Sequence, residues 1–375
     1  MSAKPNRKPG IIIGVLGFLA LLACATCVAI FFVVWNLPSS GGDVLDSKTI
    51  LQPVVAISSE NMDKVERLGA FSQRTAIRSM AWSPDSRVLA VGGNPTPDQR
   101  RSDRIEPIKL WNVAPSAEGR SLQGPQSAKP LAESQQFENV DAVNDVTFSP
   151  DGRWLAATYT YGIKIWNVAD GQPAQTINLW HTNLGQVNFT PDGQAVFTRV
   201  REYQGCTGVQ SWDVVSGRPL RCDKDGLITW QGKTFVWKNT QWFDVETARS
   251  VGAFRTVAVS HDGKVLAHRS NPITAESVQA TLTLTELTNG KILGQWNKFH
   301  YHSSVAFSAN DTLVVAQRVS EGFFSPAPIT LWDVSSGKMR ELDVHTTNNI
   351  IVFSPDGRFL AIGGSGQVEL WGIKP

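Results

Sequence analysis

From residue 65 onward the apolar residues come in short runs cut by turn signals, and the clearest instance is VFSPDGRFLAIGGSGQVELWGI, Val352–Ile373. Val352 and Phe353 end one strand, and Ser354-Pro355-Asp356-Gly357 predicts a tight turn. Proline presets φ, the aspartate bonds back to the backbone, and glycine takes the left-handed position a hairpin needs. Phe359–Ile362 is then a second strand, Gly363–Gln367 another turn, and Val368–Trp371 a third strand. Such a unit is too small to bury its own apolar side, so it must stack on copies of itself.

The copies are present. The turn recurs as Ser83-Pro84-Asp85-Ser86, Ser149-Pro150-Asp151-Gly152, Thr190-Pro191-Asp192-Gly193 and Ser260-His261-Asp262-Gly263. A degraded form is Ser308-Ala309-Asn310-Asp311. The closing strand recurs as Ile108–Val113, Ile163–Val168, Val209–Val214, Leu282–Leu287 and Ile329–Val334. Ile228–Val245 supplies a worn repeat in the long gap, with Phe243-Asp244 in the Trp-Asp place. The closing strands give seven anchors: Trp111, Trp166, Trp212, Phe243, Thr285, Trp332 and Trp371. Their separations of 31 to 55 residues centre near the roughly 40–45 expected of a four-stranded propeller blade.

A Ser-Pro-Asp-Gly turn followed at a fixed interval by an apolar-Lys-apolar-Trp-[Asp/Asn]-Val strand resembles the WD-repeat family of β-propellers, from about Val65 to Pro375. The resemblance implies an all-β, seven-bladed propeller and a usual role in holding protein partners. The family's Gly-His survives at best as His181, His302 and His345. Its buried Asp–His–Ser/Thr–Trp network is therefore expected to be incomplete in most blades. Val65–Phe71 looks like Ser250–Phe254, which follows a closing strand. It is expected to supply the outer strand that the last repeat lacks, so that no sheet edge stays open.

Ahead of the repeats, Met1–Gly10 carries Lys4, Arg7 and Lys8, and Ile11–Leu37 carries no charge. As a helix this run would be about 40 Å long, against a hydrocarbon core of roughly 30 Å. A single transmembrane helix over 11–37 is expected. A cleaved signal peptide and a lipoprotein signal at Cys24 are the alternatives; both call for a shorter apolar stretch. The basic flank places residues 1–10 in the cytoplasm and the propeller outside it, the reverse topology being the alternative. Residues 38–63 read as a flexible stalk, with a short apolar patch at Ile50–Ile57 for which an extra strand on the propeller rim is the alternative, and 64–375 as the propeller.

Thirteen Trp against four Met suit β packing. The net charge of +2 owes three positive charges to the first ten residues. The remainder therefore offers no basic face for nucleic acid. Cys206 and Cys222 lie at the same end of the third blade, either bonded or free. A disulfide there would be worth roughly 3 kcal/mol.

Candidate chemistry is sparse. Gly363–Gln367 lacks the second glycine of a nucleophile elbow, and the histidines have no metal-ligand spacing. Asp223–Gly226 is half a calcium loop. No catalytic residue, cofactor or metal is expected. The end-of-strand positions Gly92, Thr158, Arg199, Arg269, Gln317 and Gly363 align when counted from the turn, and are expected at the channel mouth. Arg199 and Arg269, with Arg201 and Arg318 close by, are expected to form a positive ring for a partner. Phe323 and Phe324, in the loop Ser320–Pro328, are candidate exposed anchors. The expectation is a membrane-anchored, non-enzymatic protein-interaction platform. The alternative is a small-ligand or anion receptor, or an enzyme, working at the channel mouth.

Overall fold

The computed structural model describes residues 52–375, apart from 54, 73–75, 95–107, 114–141, 160–161, 180–183, 191, 201–202, 224–226, 231–232, 239–240, 245–249, 253–256, 271–278, 301–303, 320–327 and 345–349. At strand residues 223, 227–230, 233–238, 241–244, 250–252, 257, 269–270, 279 and 300 the description covers the backbone alone. The expected transmembrane helix at 11–37 lies outside the described residues. Among those described, no helix is long and apolar enough to cross a membrane.

The described residues form seven antiparallel sheets, six of four strands and one of three, with the architecture of a β-propeller. Blade 1 contains Ala76–Trp82, Val88–Asn94 and Ile108–Asn112; blade 2 runs from Val143–Phe148 to Pro173–Asn178, and blade 3 from Val187–Phe189 to Pro219–Asp223. Blade 4, the worn repeat, runs from Leu227–Trp230 to Ser250–Gly252, blade 5 from Val257–Val259 to Ile292–His300, and blade 6 from Val305–Phe307 to Met339–Leu342. Blade 7 contains Ile350–Phe353, Leu360–Gly364 and Gln367–Ile373, and its outer strand is Val65–Ser72. That strand pairs with Gln367–Ile373 from Val65↔Ile373 to Ser72↔Gln367, with a bulge at Leu68.

The first strands of blades 5, 6, 7, 1, 2 and 3 lie side by side in that order. The apolar clusters sit between neighbouring sheets. Ile163, Ile165 and Ile177 meet Val187, Val196 and Trp212 between blades 2 and 3, while Leu282, Leu284 and Phe299 meet Val314 and Trp332 between blades 5 and 6. A blade with neighbours on both faces needs apolar residues on both, and Ile329–Asp333 is buried at every position.

Each Ser-Pro-Asp-Gly turn is built from its own side chains. In blade 1 the Ser83 hydroxyl donates to Asp85 Oδ1 (2.6 Å) and accepts the N–H of Val88 (2.9 Å). The same pair of bonds recurs at Ser149, Ser260, Ser308 and Ser354 and, with a threonine, at Thr190. The hydroxyls hold Asp151 and Asp192 below the usual carboxylate range. The Asp or Asn after the tryptophan caps the next turn: Asp333 Oδ1 accepts the N–H of Ser335 (2.7 Å) and Ser336 (3.0 Å), as Asp213 does for its turn.

Two turns replace the glycine although φ stays positive, at Ser86 (60°) and Asp311 (58°). Both side chains reach the turn of the preceding blade. Ser86 Oγ accepts the N–H of Asp356 (3.0 Å). Asp311 accepts the N–H of His261 (2.7 Å) and of Asp262 (2.8 Å), and lies 2.8 Å from the His261 ring. The turn read as degraded is thus an inter-blade cap. Asp311→Gly would relieve the left-handed strain but leave two N–H groups of the neighbouring turn without their acceptor. It is expected to lower stability by about 1 kcal/mol, seen as a lower urea midpoint at unchanged m.

The stalk expectation needs correction over its second half. Residues 52–63 lie along the turn side of blades 1, 7 and 6. Gln52 Nε2 donates to Val113 O (2.9 Å), Ile57 N–H to Gly357 O (2.9 Å) and Ser59 N–H to Thr312 Oγ1 (3.2 Å). Ile57 and Met62 are buried among Leu313, Leu342 and Trp371. Arg340 donates to the carbonyls of Met62 (2.5 Å) and Val65 (2.6 Å). Ile57 is apolar because it packs on the propeller, whereas Val55 of the same patch is exposed.

Candidate interaction face

The end-of-strand positions expected to line the channel mouth mostly face the next blade. A side-chain carbon at Gly92 would meet Val143 Cγ1 of blade 2 at 2.6 Å, and one at Gly363 would meet Met80 Sδ of blade 1 at 2.7 Å. Thr158, which is fully buried, donates to Gly185 O of the segment entering blade 3 (2.7 Å). Gln317 is buried as well. The reason is geometric: alternate residues of a second strand point sideways into the inter-blade seam. Arg199 departs from this pattern, being exposed where Gly92, Thr158, Gln317 and Gly363 are buried.

The other candidates divide as follows. Arg318 is half-buried and bonds Glu341 on the outer strand of its blade, Nη1 to Oε1 at 2.5 Å, so its charge is turned toward the blade rim and not toward a ring around the channel. Arg269 lies in the strand Val265–Ser270 opposite Leu282; its side chain, with Arg201, Phe323 and Phe324, lies outside the described residues. Of the four arginines, the side chains of Arg199 and Arg318 are described; Arg199 is exposed and Arg318 is committed to Glu341.

Beside Arg199 the hairpin of blade 3 is tightly built. Tyr203 and Cys206 exchange both backbone bonds, at 2.8 and 2.7 Å. Gln204 and Gly205 both have positive φ (47° and 81°), the conformation of a two-residue hairpin turn. Cys206 is joined to Cys222 on the outer strand, Cα–Cα 5.7 Å. The ring of Tyr203 meets Trp212 edge-on at 5.7 Å.

A second polar cluster, missed by sequence reasoning, lies where blades 1, 2 and 3 meet. Four consecutive residues entering blade 3 are each held by a side chain: Leu184 O by Asn144 (3.1 Å), Gly185 O by Thr158, Gln186 O by Thr198 (2.6 Å) and Val187 N–H by Asp145 Oδ2 (3.0 Å). Asp145 Oδ1 also accepts the Ser79 hydroxyl of blade 1 (2.6 Å). Burial pushes this carboxyl up to about 6 against those hydrogen bonds. The available signal was positional, since the residue four before the turn is polar in several repeats: Ser79, Asp145, Gln186 and Ser304.

Of the tryptophan anchors, Trp371 donates to the fully buried Glu369 (3.1 Å). Among the described residues the indole N–H groups of Trp111, Trp212 and Trp332 find no protein acceptor. Blade 5 replaces its tryptophan with Thr285, which pairs with His268 Nε2 at 3.0 Å. Burial pushes His268 down to about 4.

These observations define the fold as that of a β-propeller. The profile described as "WD domain, G-beta repeat" matches residues 66–96, 134–167 and 337–372. The first and third matches begin on or just before a strand that completes one sheet and run on into the next sheet. Sequence repeat and blade are thus out of phase by one strand. The chain is also similar to apoptotic protease-activating factor 1 of Homo sapiens, 30% identical over 167 residues, which is 42% of this chain and 12% of that protein. The Rattus norvegicus protein is 29% identical over 168 residues (42% and 12%), and that of Mus musculus 35% over 92 residues (24% and 7%). The chain therefore spans about an eighth of the length of the human and rat relatives or less.

Proposed function

We propose that this chain is a membrane-anchored WD-repeat propeller that serves as a non-enzymatic platform for protein partners. The reading is supported chiefly by the exposed Arg199, set beside a disulfide-braced hairpin at a position where sibling blades bury their residue. A charged side chain at the end of a strand, next to a hairpin braced by a disulfide, sits on a preorganised backbone, which lowers the ordering cost of docking. Repeats of this type usually hold proteins, and the uncharged run at 11–37 supports the anchor. Arg201, Arg269, Phe323 and Phe324 are the further contact candidates. A receptor for small anions at the channel mouth draws less support, because Arg318 is bonded to Glu341.

Arg199→Glu, made in the full chain, is expected to weaken capture of the partner at least tenfold while the melting temperature stays within about 2 °C. Unchanged capture would remove this face from the proposal. Protease treatment of intact cells tests the topology. Release of the propeller by cleavage near the residue 38–51 segment supports an extracytoplasmic location, and protection points to the cytoplasmic alternative.

A further inference from the structure

The contacts among blades 1, 2 and 3 belong to a device written into the repeat. In each instance a side chain four residues before one blade's turn accepts the N–H three residues before the next blade's turn. Ser79 Oγ accepts Val146 N–H (3.2 Å), Asp145 Oδ2 accepts Val187 N–H (3.0 Å), and Ser304 Oγ accepts Ile351 N–H (2.7 Å). Blade 7 carries Ile350 at this position and has no acceptor to offer blade 1. Two of the three staples are neutral serines. The third is a carboxyl group that also receives the Ser79 hydroxyl, so one side chain ties three blades together.

We propose that Asp145 makes this junction a proton-operated clamp, holding the Ser79 hydroxyl and the Val187 N–H together when ionised and loosening one of them when protonated. A carboxylate offers both oxygens as acceptors, whereas a carboxylic acid spends one of them on its own proton. Charge-assisted hydrogen bonds are about twice as strong as neutral ones, so protonation weakens the tie on blade 3. On the strands packed around Asp145 the charged or titratable residues are Arg78 on 76–82, which is exposed, and Tyr159 on 154–159, whose ring packs on Trp166. Strands 88–94 and 187–189 and residues 184–186 carry none. Among the described residues no cation pairs with Asp145. The burial that raises its proton affinity brings the clamp's range near neutral pH.

Hydrogen–deuterium exchange on the full chain, followed by mass spectrometry from pH 5 to 7.5 and corrected for the intrinsic rate, reads the clamp through peptides covering 184–189. Local opening that breaks the tie while Asp145 stays buried is expected to lower protection there roughly fivefold toward pH 5, while peptides covering 305–307 stay unchanged. Against global unfolding the same protonation favours the fold, because the unfolded chain releases the proton. Asp145→Ser rebuilds the neutral staple of the other junctions and is expected to abolish the pH dependence while keeping the protection. An equal pH response in Asp145→Ser, or none in the native chain, would overturn the proposal. Should that variant fail to fold, Ser79→Ala decides. It removes a hydrogen bond that favours the ionised form, so the midpoint must move to higher pH, and an unmoved midpoint refutes the clamp.

Discussion

Glu369→Ala is expected to destabilise the propeller by about 3 kcal/mol, the largest effect among the substitutions considered. Glu369 is fully buried on the last strand of the chain. It accepts the Trp371 indole N–H and lies 3.9 Å from Arg67 Nε on Val65–Ser72, the strand that completes blade 7 from the other end of the domain. Removing the carboxylate leaves a mostly buried guanidinium and a buried indole N–H without this partner. Breaking one side of a buried pair costs more than replacing both sides. Glu369→Gln retains an acceptor for Trp371 and is expected to cost about 1 kcal/mol. Urea unfolding checks both. A Glu369→Ala variant within 0.5 kcal/mol of the glutamine variant (about the error of such comparisons) would show that the charge and its partners contribute little to ring closure.

The second large effect is hidden in the native chain because two groups titrate against each other. His268 is pushed down to about 4, so below its ordinary value near 6.5 the unfolded chain takes up a proton that the fold refuses. Its contribution is complete above pH 6.5 and is lost as pH falls toward 4. Asp145, pushed up to about 6, behaves in the opposite sense. The fold binds a proton that the unfolded chain does not, so stability from this group is greatest below about 3.8 and is lost as pH rises through 6. Between pH 7 and 4.5 each change amounts to about 2 kcal/mol, with opposite sign. Asp262, where burial is outweighed by hydrogen bonds from Lys264 and Ser260, is held at about 2 and acts below this window. Asp145→Asn should therefore lose stability relative to the native chain on acidification, and His268→Gln should gain it. Parallel pH profiles for the two variants would refute the pairing.

How much of this was legible depends on how far apart the interacting groups lie in the chain. The Ser-Pro-Asp-Gly turn and the Trp-[Asp/Asn] cap could be read directly, because the serine, the aspartate and the N–H groups they bond lie within about one turn of each other. The seven anchors could be read because strands that stack on both faces repeat their apolar pattern. Asp311 stood in a turn read as degraded and Ser86 in one read as an ordinary copy, and the partners of both belong to other blades: Ser86 reaches 270 residues along the chain, and Asp311 reaches 50. The direction in which the end-of-strand positions point was illegible for a related reason. Counting from the turn identifies equivalent positions, but the count does not say whether they face the channel or the neighbouring blade. Gly92 and Gly363 lack a side chain because another blade's side chains already occupy that space.

The sequence by itself determined the repeat, its turn chemistry, the all-β class and the uncharged run ahead of it, since all of these rest on residue types and near-neighbour spacing. Tertiary structure decided the rest. It laid residues 52–63 on the propeller, buried Glu369 under the closing strand and joined Asp145 to residues 66 and 42 positions away. Burial and inter-blade hydrogen bonds arise only when distant segments share one seam, and a linear pattern does not contain that distance.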